Sequence, residues 1–176
     1  MYLYPRFDNL SKLLFLKHLE IERKYLIDTE LWGHAVKPEP RVLVQGYLCK
    51  DDHKVVRVRI VRTTAGERGY MTIKGKMQNL GRPEFEYEIP PEEAKDLLAL
   101  TLYPPIEKTR YKYLYKGKIW DVDIFHGSNE GLYLAEIELD DPNDAIDFPE
   151  WIRKEVSNDP RYYNAYLSEH PYTTWK

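Results

Sequence analysis

The chain has 176 residues and a formal net charge of −3. This length fits one domain, or one domain with an extension, and a domain of this size builds a core without disulfides. The slightly acidic balance argues against a protein that coats nucleic acid or an anionic membrane, while a local basic site remains compatible with it.

Cysteine content and hydropathy bound the cellular setting. Cys49 is the only cysteine, which excludes an internal disulfide and a thiolate metal cluster and predicts a reducing cytoplasm. The apolar run Leu13–Leu16 is too short to span a membrane or to form the core of a signal peptide. The sequence therefore predicts a cytoplasmic protein without a membrane partner.

Local patterns predict eight strands and three helices. The first helix has Asp8 or Asn9 as its cap, and the other two begin at prolines. In chain order the predicted elements are helix 8–18, strands 19–27, 41–48, 54–62, 68–75 and 83–89, helix 91–102, strands 107–115, 118–125 and 132–139, and helix 149–156. This order indicates a mainly β (α+β) fold, with residues 1–18 as an N-terminal helical extension and residues 19–176 as the β domain.

Each predicted strand places charged side chains on one face and apolar side chains on the other. A solvated antiparallel sheet explains any one of these strands taken alone. However, the charged faces are separated into acidic and basic ones, and eight strands can close into a barrel with helices covering its apolar exterior. We therefore predict an eight-stranded antiparallel closed tunnel with a charged lumen. Its inward residues include Glu20, Glu22, Lys24, Arg57, Arg59, Lys74, Glu84, Glu86, Lys108, Arg110, Asp121, Asp123, Glu136 and Glu138.

Such a lumen indicates a particular class of ligand. Crowded buried charges need water or bound ions as compensation. Clustered carboxylates without histidine or cysteine suit Mg²⁺ or Mn²⁺, and clustered arginine and lysine side chains suit phosphate. Together they predict a pocket for a metal-chelated polyphosphate.

The run Glu20-Ile21-Glu22-Arg23-Lys24 resembles the Glu-x-Glu-x-Lys signature of the CYTH domain, also called the triphosphate tunnel metalloenzyme family. The resemblance covers residues 19–165. Supporting segments follow in the family's order: Gln45-Gly46-Tyr47-Leu48, Val56-Arg57-Val58-Arg59, Thr72-Ile73-Lys74-Gly75, Glu84-Phe85-Glu86-Tyr87-Glu88, Lys108-Thr109-Arg110-Tyr111, Asp123-Ile124-Phe125, Leu134-Ala135-Glu136-Ile137-Glu138 and Lys154-Glu155-Val156.

The resemblance implies a metal-dependent hydrolase of triphosphate-containing substrates that releases orthophosphate and uses Mg²⁺ or Mn²⁺. Family members include bacterial inorganic triphosphatases, thiamine triphosphatases and class IV adenylate cyclases. A cyclase that makes cyclic AMP and pyrophosphate, and a non-catalytic polyphosphate-binding or nucleotide-binding module, stay open as alternatives. The expected partner is a small-molecule triphosphate, and the extension of residues 1–18 and the aromatic C-terminal tail leave room for a homodimer.

Roles carry over only to positions that match the family's motifs. The implied catalytic residues are Glu22, Lys24 and Glu138. The implied metal ligands are Glu20, Glu22, Glu86, Asp123, Glu136 and Glu138. The implied substrate contacts are Lys24, Arg57, Arg59, Lys74, Lys108, Arg110 and Lys154, the last on the predicted C-terminal helix.

Overall fold

The computed structural model describes residues 19–76 and 82–175. Its strands are β1 (Leu19–Glu20), β2 (Glu22–Ile27), β3 (Pro40–Lys50), β4 (Lys54–Thr63), β5 (Gly66–Gly75), β6 (Arg82–Ile89), β7 (Ile106–Tyr115), β8 (Lys118–Phe125), β9 (Tyr133–Glu138) and β10 (Ile152–Glu155). The helices are α1 (Thr29–His34), α2 (Pro91–Leu98) and α3 (Asn164–Leu167), with 3₁₀ turns at Gly127–Asn129, Pro160–Tyr162 and Tyr172–Thr174. The predicted helix 8–18 lies outside the described residues.

The ten strands form one antiparallel sheet in the order β1-β6-β5-β4-β3-β7-β8-β9-β2-β10. β1 pairs with β6, whereas β2 pairs with β9, and Ile21 alone separates β1 from β2. Because β1 is at one end of the strand order and β2 is near the other, this short segment brings the two ends of the sheet together, and the sheet curls into a tunnel. The predicted antiparallel β tunnel is confirmed, although the ring is interrupted at this seam instead of being strictly closed.

Apolar side chains on the outside of the sheet are covered by short elements. α2 packs Ala94 against Val58 and Ile60. A Cβ at Gly69 would lie only 2.8 Å from the Ala94 Cβ, so glycine permits the close approach of α2 to β5. The charged faces are left to line the interior.

A second outer cluster is aromatic. Trp32 of α1, Trp120 of β8 and the preceding neighbour of β10, Trp151, are buried together. The Trp32 and Trp151 rings meet edge to face with centroids 5.1 Å apart, an arrangement that aromatic quadrupoles favour. α1 was not predicted, although Asp28 caps it by accepting a hydrogen bond from the Leu31 amide at 2.9 Å.

The helix predicted at 149–156 is wrong, because residues Ile152–Glu155 form strand β10. β10 pairs antiparallel with β2, with Ile152 opposite Ile27. Because β1 takes over the pairing with β6, β2 has an edge that is free to accept another strand. Arg23 reinforces this edge with an ion pair to Glu155 at 2.5 Å.

The helix predicted at 91–102 is correct in type and too long. α2 ends at Leu98, and Leu100 and Leu102 are exposed. These two leucines fit a helical pattern in the sequence but have no core to pack against. Within the described part of the chain, no helix is long and apolar enough to cross a membrane.

Candidate functional site

A cavity of about 810 Å³ occupies the tunnel. Charged side chains from nine strands, β1 to β9, dominate its wall, and residues 163–166 near the C-terminus contribute to one part of it. The basic lining residues are Lys24, Arg41, Lys50, Arg57, Arg59, Lys74, Arg82, Arg110 and Lys112, and the acidic ones are Glu20, Glu22, Asp51, Glu84, Glu86, Asp121, Glu136, Glu138 and Asp140. The equal numbers mean that the cavity has little net charge, so the pairing of individual charges decides where a ligand binds.

Lys24 forms one of the tightest pairs. It lies opposite Glu136 in the β2–β9 ladder, and its ammonium donates to the Glu136 carboxylate at 2.6 Å and lies 3.0 Å from that of Glu22. Although burial opposes the charge, Glu136 and Glu22 raise the pKa of Lys24. Lys24 is therefore a firmly charged cation held between two carboxylates.

Arg110 connects the next three carboxylates. It donates to Asp121 at 2.6 Å, to both oxygens of Asp123 at 2.6 Å, and to Glu136 at 2.9 Å. Burial opposes the charge on Glu136, but Lys24 and Arg110 hold the pKa of this carboxyl well below its usual range. We call Lys24, Arg110, Asp121 and Glu136 the paired network.

Lys108 and Asp123 lie behind this network. Both side chains are fully buried, and the Lys108 ammonium contacts the Asp123 carboxylate at 2.5 Å. Burial lowers the pKa of Lys108 to about 8, against the opposing effect of Asp123. Since neither residue lines the cavity, their contact with a ligand requires rearrangement, whereas the hydrogen bonds from Arg110 to Asp123 are already in place.

Two further cations bind carboxylates on the wall formed by β4, β5 and β6. Arg57 donates to Thr72 at 2.8 Å and to Glu86 at 3.0 Å. Lys74 bridges Glu84 at 2.9 Å and Glu20 at 2.5 Å. The Lys74 contact links β5 to β1 across the seam of the sheet.

Arg82 is a site residue that the sequence reasoning missed. Its guanidinium donates to Glu20 at 2.8 Å and to Glu22 at 3.4 Å. Burial opposes its charge, but Glu20 and Glu22 raise the pKa of Arg82. The alternation of the strand could have revealed it: if the strand predicted at 83–89 had begun one residue earlier, Arg82 would have been placed on the charged face with Glu84.

Arg59 differs from these cations because no carboxylate of the described residues lies within ion-pair distance of it. Its Nε and Nη2 instead donate to the neutral amide oxygen of Gln45 at 3.2 and 3.0 Å. Burial, with repulsion from Arg57 and Arg110, lowers the pKa of Arg59 to about 9. Its positive charge therefore has no ion-pair partner among the described residues, and Glu86 offsets it only in part.

Glu138 is the acidic counterpart of Arg59. In the described parts of the chain, residues 19–76 and 82–175, it has no ion-pair partner within 4 Å. Burial, together with repulsion from Glu20 and Asp121, raises the pKa of this carboxyl. Arg41 and Asp140 also lack ion pairs among the described residues, and both are exposed to solvent, as Glu138 is.

The donor chemistry around Glu138 fits a hard divalent cation. Glu20, Glu22 and Asp121 all influence its charge, and carboxylate oxygens are preferred ligands of Mg²⁺ and Mn²⁺. Among the described residues, however, no three acidic, histidine or cysteine side chains are already arranged around a metal position. The reason is that lysine and arginine side chains occupy the oxygens of Glu20 and Glu22.

The structure brings most of the sequence-predicted site residues together. Three are absent from the cavity lining: Lys108 and Asp123 lie behind it, and Lys154 is exposed on β10 outside it. The expected C-terminal helix that would carry Lys154 over the ligand is a strand. The sequence-predicted site residues that do line the cavity are Glu20, Glu22, Lys24, Arg57, Arg59, Lys74, Glu86, Arg110, Glu136 and Glu138.

The profile of the CYTH domain matches residues 18–163. The chain belongs to the CYTH domain family. The resemblance carried by Glu20-Ile21-Glu22-Arg23-Lys24 is thereby confirmed, and the tunnel with its inward charges is the CYTH domain of this chain.

This CYTH protein is also similar to individual proteins in sequence and in structure. An inorganic triphosphatase of Acetivibrio thermocellus is 43% identical over 158 residues, which cover 89% of this chain and 97% of the relative. The crystal structure of the inorganic triphosphatase NE1496 matches with a TM-score of 0.58 and 31% identity, over 85% of this chain and 93% of that one. HpAC1 from Hippeastrum, a proposed adenylyl cyclase with a dominant triphosphatase activity, shares the fold at a TM-score of 0.54 and 15% identity, over 70% of this chain and 81% of that one.

Proposed function

We propose that this CYTH protein is a divalent-metal-dependent triphosphatase that cleaves the terminal phosphoanhydride of its substrate and releases orthophosphate. The observation that carries the proposal is that Arg59, beside Arg57 and Arg110 inside the cavity, has no ion-pair partner among the described residues. An anion at this position supplies the counter-charge that the described residues provide only in part. Phosphate oxygens suit guanidinium groups, which bind them bidentately.

The distribution of the cations favours a chain of phosphates over a single one. Lys24 is on β2, Arg57 and Arg59 are on β4, Lys74 is on β5 and Arg110 is on β7. These strands lie on different parts of the tunnel wall, so one phosphate group cannot engage all of these side chains. The relatives named inorganic triphosphatases support inorganic tripolyphosphate as the first substrate to test.

Binding of a triphosphate requires an exchange of partners. Lys24, Lys74 and Arg82 are bound to carboxylates in the structure, and a triphosphate competes for the same N–H donors. Each carboxylate that loses its cation adds an unpaired negative charge close to Glu138. Carboxylates that have lost their cations repel one another, and a divalent cation held by Glu20, Glu22 and Glu138 would neutralise this negative charge.

The chain's own residues then position the substrate for hydrolysis. Phosphoryl transfer depends on charge neutralisation and in-line geometry more than on a covalent nucleophile. Arg59 and Arg57 fix the non-bridging oxygens, and Lys24 neutralises charge next to Glu22. Asp123, itself paired with Lys108, holds Arg110 in place from behind. A bound divalent cation would add Lewis-acid stabilisation of the phosphate oxygens and lower the pKa of water.

A phosphate-release panel tests the proposal. Tripolyphosphate, ATP and thiamine triphosphate are each incubated with Mg²⁺, with Mn²⁺ and with a chelator, and orthophosphate, pyrophosphate and cyclic AMP are measured. We expect orthophosphate from at least one substrate, abolished by the chelator. Cyclic AMP and pyrophosphate from ATP would instead identify a cyclase, and tight tripolyphosphate binding without turnover would identify a binding module.

Three further expectations stay predictions from the sequence. We expect the enzyme in the cytoplasm, on the strength of the single cysteine. The extension of residues 1–18 and the aromatic C-terminal tail leave room for a homodimer, and analytical ultracentrifugation of the full chain distinguishes a dimer from a monomer. The choice between Mg²⁺ and Mn²⁺ is decided by the same phosphate-release panel.

A further inference from the structure

We propose that Gln45 is a positioning residue whose neutral amide holds Arg59 in place while leaving its charge available to the substrate. The inference rests on the proposed function, because it assigns a purpose to the unpaired charge of Arg59. Gln45 itself is fully buried and does not line the cavity. It therefore acts through Arg59 and does not touch the ligand.

The contacts fix the orientation of the Gln45 amide. Gln45 on β3 lies directly opposite Arg59 on β4, and its Oε1 accepts from Arg59 Nε and Nη2 at 3.2 and 3.0 Å. A guanidinium only donates hydrogen bonds, so the amide oxygen must face Arg59. The Nε2 group consequently faces Tyr47, where it donates to the hydroxyl oxygen at 3.1 Å.

The amide constrains Arg59 without cancelling its charge. Arg57 and Arg110, by contrast, are both held by carboxylates. A glutamate at position 45 would keep nearly the same shape and offer Arg59 a bidentate ion pair. Such a pair would neutralise the charge of Arg59 inside the protein and so weaken its attraction for an anionic substrate. The neutrality of Gln45 is thus the property that keeps Arg59 receptive to an anion.

The same amide also prepares a second donor. Because the hydroxyl oxygen of Tyr47 accepts from Gln45, the hydroxyl proton can be donated to another acceptor. Tyr47 lines the cavity, and burial raises the pKa of its phenol despite the opposing effect of Arg57 and Arg59. Tyr47 therefore keeps its proton, and Gln45 leaves both Arg59 and Tyr47 able to donate to a phosphate oxygen.

The experiment compares Gln45→Glu and Gln45→Leu with the full-length wild-type chain. Binding of tripolyphosphate is measured by calorimetry in the presence of a chelator, steady-state kinetics with Mg²⁺ give kcat and KM, and thermal unfolding is followed without ligand. For Gln45→Glu we expect at least about tenfold weaker binding with an unchanged or raised unfolding temperature. For Gln45→Leu we expect weaker binding with a lowered unfolding temperature, because Arg59 loses both of its hydrogen bonds.

A double-mutant cycle with Arg59→Met separates positioning from packing. In the Arg59→Met background, Gln45→Glu should weaken tripolyphosphate binding by a clearly smaller factor, since the charge that it would neutralise is gone and only the hydrogen bond to Tyr47 is lost. Equal loss in both backgrounds would overturn the inference, as would a Gln45→Glu protein that binds like wild type or fails to fold. If wild type binds and cleaves no triphosphate, the proposed function itself fails. Wild-type turnover with an unaffected Gln45→Glu variant rejects only the role of Gln45.

Discussion

Glu136 and Glu138 lie two residues apart on the same face of β9, yet their surroundings are opposite. Glu136 accepts from Lys24 at 2.6 Å and from Arg110 at 2.9 Å, and these cations lower its pKa. Glu138 has no ion pair among the described residues, and burial and neighbouring carboxylates raise its pKa. Arg110 and Arg59 differ in the same way. Paired charges maintain the tunnel, and unpaired ones are available to ligands.

The largest expected effect follows from removing the unpaired cation. Arg59→Met should lower kcat/KM for tripolyphosphate by about 100-fold or more, as the loss of one preorganised donor commonly does. Arg62→Met is the matched control on the same strand, because Arg62 is nearly half-exposed and pairs with Glu67 on the outside. Equal kinetic losses in the two variants would refute the distinction between inward unpaired and outward paired arginines.

Replacing Glu136 should lower the stability of the protein far more than replacing Glu138. Glu136→Gln removes the buried carboxylate that Lys24 and Arg110 share and should lower the free energy of unfolding by about 3 kcal/mol. Glu138→Gln should change it by less than about 0.5 kcal/mol. Urea unfolding of both variants without metal or phosphate measures the difference. Similar losses in the two variants would mean that Glu138 has a partner in solution.

The exchange of partners predicts coupling between metal and phosphate. Mn²⁺ should bind at least about tenfold more tightly when a non-hydrolysable imido analogue of tripolyphosphate is present, and the analogue should gain the same factor from Mn²⁺. Calorimetric titrations in both orders measure the two factors. Arg82→Met should increase Mn²⁺ affinity without the analogue, because Arg82 no longer occupies Glu20 and Glu22. Independent binding would show that the carboxylates are free from the start.

The smallest effect is a pH dependence of stability. A raised pKa means that folded Glu138 holds its proton more tightly than the unfolded chain does, so stability from this residue is gained as the pH falls through its folded pKa. Glu138→Gln should therefore be slightly more stable than wild type at neutral pH, by a fraction of about 1 kcal/mol. The gap should close as the pH approaches 4.5, the ordinary value. Parallel unfolding curves from pH 4 to 8 would detect a gap that fails to close.

Strand parity predicted much of the site. Glu20, Glu22 and Lys24 were placed on one face by their spacing, and the structure puts all three on the cavity wall. The same parity could not separate Asp121, which lines the cavity, from Asp123, which is sealed behind it. Depth along the tunnel depends on strand tilt and on which side chains cover the end, and alternation carries no information about either.

Local pattern also failed where an edge required a partner. Residues 149–156 begin with a proline and contain spaced apolar side chains, so they read as a helix. In the structure, Ile152–Glu155 extend along the free edge of β2. Helical propensity is a weak preference of a short segment, and pairing with an open edge outweighs it.

The sequence by itself determined every strand except β10, their order along the chain and the separation of charged from apolar faces, because each follows from the alternation of neighbouring residues. Only the tertiary structure decided which charges meet: Lys24 with Glu136, Arg82 with Glu20, and Arg59 with neutral Gln45. Ion pairing depends on distances of a few ångströms between strands far apart in sequence. The two unpaired charges on which the proposed function depends become visible only when the sheet has curled.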